Sequence, residues 1–380
     1  QLSRSVVRRM VADVPLGAFL SGGIDSSVVV ALMQAASDVP VKTFSIGFHV
    51  EGFDEAPHAR AVAEHLGTDH HELYLTAEDA LATIPELADH YDEPFADSSQ
   101  VPTLLVSRMA RRHVTVALSG DGGDELFAGY ARYGQMAAVM NLAGRAPGLV
   151  GKAAGVGHAL LTHPASAPLR RILPPLVRSR AERWLGRVSQ IGEAGAFEAA
   201  YLRMVQQGLD PATVLSSGRE PVNPIWTGAL AGDFPGVVER CQMLDTLAYL
   251  PDDILVKVDR ASMGVGLEAR APLLDHELYA FVWSLPERMK VRNGVSKWAL
   301  REILYRHVPR SIVDRPKMGF GVPIDTWLRG PLRDWAEDLL SPAALADDDL
   351  FQVAPVRDLW SRHLRGENWQ YPIWCILMAQ

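Results

Sequence analysis

Short apolar runs and segments with helical spacing alternate over the first 120 residues. VKTFSIGF (41–48) alternates and is rich in β-branched and aromatic residues, which is typical of a strand. Strands are also predicted at the apolar runs VPLGAFL (14–20) and HVTVAL (113–118) and at HHELYLT (70–76). Helical spacing predicts helices at about 27–36, 56–67, 77–91 and 104–112. The alternation predicts an α/β fold with a doubly wound parallel sheet.

The pattern changes after Tyr133. The chain becomes rich in Ala, Gly, Pro and Arg without a clear strand, and from about residue 241 helical periodicity dominates between prolines. We therefore predict three parts: an α/β core at 1–136, a helical variable insertion at 137–240, and a mainly helical C-terminal part at 241–380 that completes the site.

The net charge of the 380-residue chain is −8, and no long run of one sign occurs. This balance argues against nucleic acid as the main partner. The most basic segment is LRRILPPLVRSRAERWLGR, in which arginines alternate with apolar residues. This pattern favours the solvated face of a helix over a polyanion site. Its arginines are Arg170, Arg171, Arg178, Arg180, Arg183 and Arg187.

No apolar run approaches the roughly 18 residues that a membrane span requires. The opening QLSRSVVRR is not followed by the apolar region of an export signal. Cys241 and Cys375 are too few for a disulfide framework or a zinc cluster. We therefore expect a cytoplasmic protein with no membrane partner, and a homodimer stays open because the sequence does not address oligomeric state.

The segment LSGGIDSS (20–27) lies between a predicted strand and a predicted helix, where backbone N–H groups and a helix N-terminus bind anions. Gly22 and Gly23 permit close approach of the backbone, and the serines add hydroxyl donors. A Walker loop would carry a lysine, but this loop carries Asp25, and a carboxylate beside phosphates needs a cation such as Mg²⁺. The loop indicates a pyrophosphate site, with a Ser/Gly turn that caps a helix as the alternative.

A second glycine-rich turn, SGDGGDE (119–125), follows the last of the four predicted strands. In an open α/β sheet, ligands bind at the carboxyl ends of the strands where the strand order reverses. Asp25 and Asp124 are therefore predicted to share Mg²⁺ on a triphosphate. Stabilisation of the helix dipole is the alternative interpretation for Asp121, Asp124 and Glu125.

Three further charged sets have less specific interpretations. The acids of DEPFADSSQVP line the same cleft or cap the next helix; they are Asp92, Glu93 and Asp97. Four charged residues at spacings of three and four form intrahelical ion pairs or line the far wall of the cleft. They are Asp253, Lys257, Asp259 and Arg260. Two residues of LEARAP are interpreted as structural and as orienting the final helices; they are Glu268 and Arg270.

From about residue 5 to its end, the chain resembles the glutamine-hydrolysing asparagine synthetases, most weakly at about 140–240. Six segments occur in the family's order: LSGGIDSS, FSIGF, DEPFADSS, LSGDGGDELFAGY, DDILVKVDRASMGVGLEARAPLLDH and RPKMGFGVP. The resemblance implies the N-type ATP pyrophosphatase fold, which is adenine nucleotide alpha hydrolase-like. It further implies an AMP-forming ligase that adenylates the side chain of aspartate, releases pyrophosphate and uses ammonia to form asparagine. ATP and Mg²⁺ are the implied substrate and cofactor.

The resemblance also implies roles for individual residues. Pyrophosphate is held by the first loop, through Ser21, Gly22, Gly23, Asp25, Ser26 and Ser27. Asp25 and Asp124 bind Mg²⁺. Leu20 and Ile46 frame the adenine through backbone contacts. In the second loop, Gly120 and Asp121 lie beside the acyl-adenylate, and Ser119 and Gly120 contribute to the ATP and pyrophosphate site.

Lys317, in RPKMGFG, matches a family lysine that reaches the phosphates from a mobile loop, and it joins Asp121 and Asp124 as the predicted catalytic set. Pro316, Gly319 and Gly321 independently predict an irregular segment here. A cation on such a segment would stabilise charge that develops on the pyrophosphate. An ordinary surface lysine is the alternative without the resemblance.

Two departures from the family pattern limit the prediction. Full-length members begin with a glutaminase domain whose nucleophile is an N-terminal cysteine. This chain begins with Gln1, and neither Cys241 nor Cys375 is placed to serve, so we expect the chain as given to use free ammonia. Asp121 stands where asparagine synthetases often have glutamate and β-lactam synthetases have tyrosine, which favours an ammonia-using enzyme.

Two alternatives stay open. The same chemistry could act on another carboxylate, in amidation of a sugar, a peptide or an antibiotic precursor, or in a β-lactam synthetase-like closure. In the second alternative, the chain is a degenerate ATP-binding scaffold without activity. The presence of Asp25, Asp124 and Lys317 argues against this alternative.

Overall fold

The computed structural model describes residues 1–50, 52–145, 149–162, 185, 189, 197–206, 210–217, 224–227, 234, 236–315, 321–347 and 349–380. The chain divides into two compact units. The first comprises Gln1–Gly129, Asp210–Arg219 and Tyr249–Gln380, and the second comprises Tyr130–Leu209 and Glu220–Ala248. The functional division at residues 136 and 240 remains a prediction. The arginines of the segment at 170–187 lie outside the described residues.

The first unit contains a sheet of five parallel strands in the order β3-β2-β1-β4-β5. The strands are β1 (Leu16–Phe19), β2 (Lys42–Phe48), β3 (Asp69–Leu75), β4 (Val116–Leu118) and β5 (Glu268–Arg270). The chain moves outward from β1 to β3 and then returns to the other side of β1 with β4. The point where the order reverses therefore lies between β1 and β4, where ligands bind in such sheets. The predicted fold class is confirmed.

Helices surround the sheet in the first unit and make up the regular structure described for the second. In the first unit they are α1 (Leu2–Arg9), α2 (Ile24–Ala35), α3 (Ala56–Leu66), α4 (Ala77–His90), α5 (Gln100–Arg111) and α6 (Gly123–Leu126) before the second unit begins. The second unit has α7 (Ala131–Arg145), α8 (Leu149–Thr162), α9 (Phe197–Val205) and α10 (Val237–Leu247). The first unit then continues with α11 (Val256–Met263), α12 (His276–Trp283), α13 (Trp298–Leu304), α14 (Arg310–Val313), α15 (Ile324–Arg329), α16 (Arg333–Leu339), α17 (Pro342–Asp347), α18 (Val353–Leu364) and α19 (Gln370–Ala379).

Helix α2 lies at the centre of the apolar core. Its residues from Val28 to Met33 are all buried, as expected for a helix that is apolar on every face. It belongs to the same buried cluster as Ala18 of β1 and Leu118 of β4, and α13 packs against it. The helix that follows the first glycine-rich loop is therefore held rigidly from several sides.

Strand β5 is the part of the sheet that the sequence did not predict. Residues 241–380 have helical periodicity, yet Glu268–Arg270 pairs in parallel with β4. Neither Glu nor Ala favours strands, so the backbone pairing with β4 decides the conformation here. A π-helical turn at Leu250–Leu255 precedes α11, and such turns often occur at functional sites.

The second unit has a buried polar network of its own. Asp245 accepts hydrogen bonds from Arg132, from the Tyr133 hydroxyl at 2.6 Å and from the Tyr201 hydroxyl at 2.8 Å. Burial raises the pKa of Asp245, although Arg132 opposes this shift. The network joins α7, α9 and α10 within this unit.

Membrane insertion by a helix has no support in the part of the chain that the structure describes. None of its helices combines the length and the apolar character needed to cross a bilayer.

Candidate active site

The first glycine-rich loop runs from the end of β1 into α2 and is held by its own side chains. The Ser26 hydroxyl contacts the Ser21 hydroxyl at 3.0 Å and accepts from the Ser21 N–H at 3.2 Å. Gly22 has a φ of +70°, and a Cβ on it would lie 2.7 Å from the backbone nitrogen of Ala59. Only glycine fits this position. The N-cap of α2 is Gly23, without a side-chain hydrogen bond to the cap, so no serine or aspartate side chain of this Ser/Gly turn caps the helix.

The second glycine-rich loop follows β4 and lies directly against the first. A Cβ on Gly120 would lie 2.7 Å from the Ser26 nitrogen and 2.9 Å from the carbonyl carbon of Asp25. The Ser119 N–H donates to the Arg270 carbonyl of β5 at 2.8 Å. The two loops that the sequence predicts to face one crevice are thus in contact at the reversal point of the sheet.

Asp25 and Asp124 converge on one cation, the ammonium group of Lys297. Lys297 Nζ lies 2.8 Å from Asp124 Oδ1 and also forms an ion pair with Asp25 Oδ2. The lysine side chain is 5% exposed. Both acids therefore serve in electrostatic pairing at the reversal point, rather than only in stabilising the dipoles of α2 and α6.

Lys297 is fully charged in this setting. Burial alone would lower its pKa, but Asp25 and Asp124 raise it above the ordinary lysine value. A Cβ on Gly129 would collide with Lys297 Cε and with Asp124 Oδ1. The glycine therefore leaves the space that the lysine stem fills. The local sequence does not distinguish this residue, since GVSKWAL contains no motif and only its place directly before a helix marks Lys297.

Asp121 lies at a cavity of 410 Å³ next to the second loop. Burial raises the pKa of Asp121, with Asp124 adding to the shift and Ser119 and Lys257 opposing it. The cavity has a largely apolar lining with charged groups at Asp121 and on α11. Its residues are Ser119, Asp121, Pro251, Leu255, Val256, Val258, Asp259, Arg260, Ala269 and Ala271.

Two basic residues of α11 pair with the segment before α5. Lys257 Nζ lies 2.5 Å from Asp97 Oδ2, and Arg260 forms an ion pair with Asp92. Burial would lower the pKa of Lys257, but nearby carboxylates, first Asp97, raise it. Lys257 thus pairs outside its own helix, with Asp97.

Arg270 has a structural role, but not the predicted one. Its guanidinium donates to the Arg9 carbonyl at 2.9 Å and to the Val11 carbonyl at 2.8 Å, and it pairs with Glu268 at 2.7 Å. These contacts orient the segment between α1 and β1. The expectation that Arg270 orients the final helices is wrong, because its donors are directed at N-terminal carbonyls.

The remaining predicted residues are placed as follows. Leu20 and Ile46 are buried at the carboxyl ends of β1 and β2, and the Leu20 N–H donates to the Phe44 carbonyl at 2.9 Å. Ser27 is fully buried in the first turn of α2. Lys317 lies outside the described residues.

The Asp25 and Asp124 pair fits a divalent cation that brings ligands of its own. Carboxylate oxygens are ligands that Mg²⁺ prefers, and one or two of them usually suffice when phosphates supply the rest. The described residues contain no group of three or more His, Cys, Asp or Glu side chains arranged to hold a metal ion. Mg²⁺ at this pair would therefore take its other ligands from phosphates and water.

The sequence profile of the family described as asparagine synthase matches residues 1–380. The chain belongs to this family. Its asparagine synthase relatives include a Mycobacterium tuberculosis protein, named provisionally as an asparagine synthetase (glutamine-hydrolyzing), which is 38% identical over 375 residues, 97% of this chain and 54% of its own length. Asparagine synthetase (glutamine-hydrolyzing) 1 of Bacillus subtilis is 32% identical over 340 residues, 88% of this chain and 51% of its own length.

Amidase chyE of Penicillium rubens is a further relative, 26% identical over 387 residues, 90% of this chain and 54% of its own length. The chain thus spans about half the length of these curated relatives.

Proposed function

We propose that the chain is an ATP-dependent amide ligase that forms asparagine. It adenylates the side-chain carboxylate of aspartate with release of pyrophosphate, and ammonia then displaces AMP. The observation that carries the proposal is the convergence of Asp25 and Asp124 on one buried cation between two glycine-rich loops. Membership of the asparagine synthase family supports the same activity.

In the first half-reaction, a carboxylate oxygen of aspartate attacks the α-phosphorus of ATP. The bond from this phosphorus to the bridging oxygen breaks, and pyrophosphate leaves. Ser21, Gly22, Gly23, Ser26 and Ser27 form the proposed cradle, since N–H and O–H donors at the start of α2 favour anions. Mg²⁺ at Asp25 and Asp124 would supply charge neutralisation to the phosphates. Lys297 and Lys317 are proposed to stabilise the charge that the leaving group gains.

Asp121 is the proposed proton acceptor of the second half-reaction. The ammonia nitrogen attacks the acyl carbon, the bond from carbon to the AMP oxygen breaks, and one nitrogen proton must leave. A carboxylate whose pKa is raised accepts a proton more readily than an ordinary one. The cavity at Asp121 is proposed to admit ammonia to this carboxylate. In the proposed complete system, a glutaminase domain supplies the ammonia.

The test is release of pyrophosphate from ATP, Mg²⁺ and ammonium with a panel of carboxylic acids. We expect release that depends on aspartate, with asparagine and AMP formed in equal amounts. Asp124→Asn serves as the site variant, and Lys42→Gln, at the opposite end of the sheet, serves as its matched control. Asparagine formation that is the same in both variants would contradict the proposal.

The second candidate function is the same reaction on a carboxylate other than that of aspartate. The relative named amidase chyE favours this candidate, because it aligns with 90% of the chain and bears a different name. Release of pyrophosphate with another acid and not with aspartate would select this candidate. Exchange of labelled pyrophosphate into ATP tests the remaining alternative, since a scaffold without activity cannot catalyse it.

A further inference from the structure

We propose that Lys297 is an internal cation that takes the place of Mg²⁺ between Asp25 and Asp124 until MgATP binds, and that it then moves onto the phosphates. The inference goes beyond the proposed function and rests on its metal site. It predicts that this chain binds the divalent ion only together with nucleotide.

The geometry of the three residues carries the inference. Lys297 Nζ is within 2.8 Å of Asp124 Oδ1 and pairs directly with Asp25 Oδ2, so the ammonium lies where a shared metal ion would lie. The side chains of both acids are less than one fifth exposed. At these distances in a site with little water, a divalent ion and an ammonium group repel each other strongly. The two cations therefore compete for one position.

The backbone holds Lys297 at this position, while its side chain is able to move. Lys297 has a φ of +56°, in the left-handed region that few residues other than glycine adopt. Its N–H donates to the carbonyl of Phe127, the residue that follows α6, at 3.1 Å. The four-carbon stem is flexible, so the ammonium can reach from carboxylates to neighbouring phosphates without a change in the backbone.

The ligands on the protein explain why the nucleotide decides between the two cations. Two carboxylates are a poor site for Mg²⁺, which retains most of its water unless phosphates replace it. The described residues offer no third acid, histidine or cysteine in a metal-binding group. A triphosphate changes both sides of the competition, because it adds oxygen ligands for the metal and negative charge for the lysine.

The experiment titrates the chain with Mn²⁺ in the absence of nucleotide. The electron paramagnetic resonance signal of the free ion reports how much Mn²⁺ is bound. The native chain is expected to need a Mn²⁺ concentration at least about tenfold higher than that at which Lys297→Met, which lacks the ammonium, binds one equivalent. The double variant Lys297→Met with Asp124→Asn should lose this binding again. Native affinity within threefold of that of Lys297→Met would overturn the inference.

A second measurement concerns the stability of the variant, since Lys297→Met removes a cation from beside two carboxylates. Mg²⁺ is expected to raise the Tm of Lys297→Met and to leave that of the native chain and of the control Lys42→Met unchanged. An equal rise in all three would overturn the inference.

The native chain alone also decides the question, in case Lys297→Met does not fold. Mn²⁺ should bind to it with a non-hydrolysable ATP analogue and not without one, after subtraction of Mn²⁺ bound by the analogue itself. Equal binding in both conditions would contradict the inference. Failure of the proposed reaction is distinguishable, because a chain that releases no pyrophosphate can still give this Mn²⁺ pattern, which supports the role of Lys297.

Discussion

The ammonium of Lys257 lies 2.5 Å from a carboxylate oxygen of Asp97 and joins α11 to the segment before α5. Both side chains are largely buried, with 10% and 20% exposed. Asp97 is held in turn by Ser99, whose N–H and hydroxyl each donate to its other oxygen at 2.8 Å. The pair therefore fixes the helix that carries Val256 and Val258 to the cavity.

Replacement of Lys257 by Met should lower the free energy of unfolding by about 3 kcal/mol. The reason is that a buried carboxylate left without its partner destabilises the fold by roughly 3–5 kcal/mol. Urea denaturation measures the change. Arg260→Met is the matched control, since Arg260 lies on the same helix but its pair with Asp92 is largely exposed. Such pairs contribute about 1 kcal/mol or less, so equal losses in the two variants would contradict the structural importance of the Lys257 pair.

The sequence predicted the parts of the site that lie directly after strands. Each glycine-rich loop follows an apolar run, and the parallel sheet brings the carboxyl ends of β1 and β4 together. Gly22 and Gly120 indicate close backbone contacts, and the structure contains such contacts at both residues. These features are local in sequence, so pattern and residue type suffice to find them.

The parts that were missed depend on contacts between distant residues. Lys297 is 272 residues from Asp25, and the surrounding sequence has no feature that distinguishes its lysine from a surface residue. The strand at Glu268–Arg270 forms because β4 offers an unpaired edge, not because its residues favour strands. The pairing of Lys257 with Asp97 likewise depends on how α11 packs against α5.

Gly120→Ala should separate the two loops. The added methyl group would lie 2.7 Å from the Ser26 nitrogen and 3.0 Å from Asp25 Cβ, and both belong to a rigid turn. Overpacking of this kind lowers stability by about 1–3 kcal/mol. We also expect the exchange of pyrophosphate into ATP to fall by at least about tenfold, because Asp25 moves away from Asp124.

The control for this variant is Gly134→Ala in α7. A Cβ there meets nothing within 4 Å, and alanine in a helix is more stable than glycine by about 1 kcal/mol. Gly134→Ala should therefore raise the Tm slightly and leave exchange unchanged. If pyrophosphate exchange is as fast in Gly120→Ala as in Gly134→Ala, the contact between the loops does not matter for the reaction of the nucleotide.

Asp121→Asn should separate the two half-reactions. Exchange of pyrophosphate should persist, while asparagine formation should fall by about 10²–10⁴, the usual contribution of a general base. The rate of the native chain should decline as the pH falls through the raised pKa of Asp121, and the variant should lack this decline. The free ammonia concentration must be held constant across the pH series. Equal pH dependence in both proteins would exclude Asp121 as the base.

The same shift makes a prediction about stability. Because burial raises the pKa of Asp121 in the folded state, the folded chain binds this proton more tightly than the unfolded chain. The stability that this proton provides is complete below the unfolded pKa and is lost as the pH rises through the folded one. At neutral pH, Asp121→Asn should therefore be at least as stable as the native chain in urea denaturation. If Asp121→Asn is less stable than the native chain, interactions of the ionised carboxylate in the folded state outweigh the cost of its burial.

Lys317→Ala should reduce pyrophosphate release by about 10²–10³ without a change in Tm, since one electrostatic contact to a developing charge has this effect on rate. Lys317 is proposed to act on the leaving group and not on the fold, so a Tm within about 1 °C of the native value is part of the prediction. Lys42→Ala is the matched control, because Lys42 pairs with Asp69 at the amino end of β2, away from the loops. If both variants retain native release, Lys317 does not take part in the reaction, and Lys297 is left as the lysine proposed to reach the phosphates.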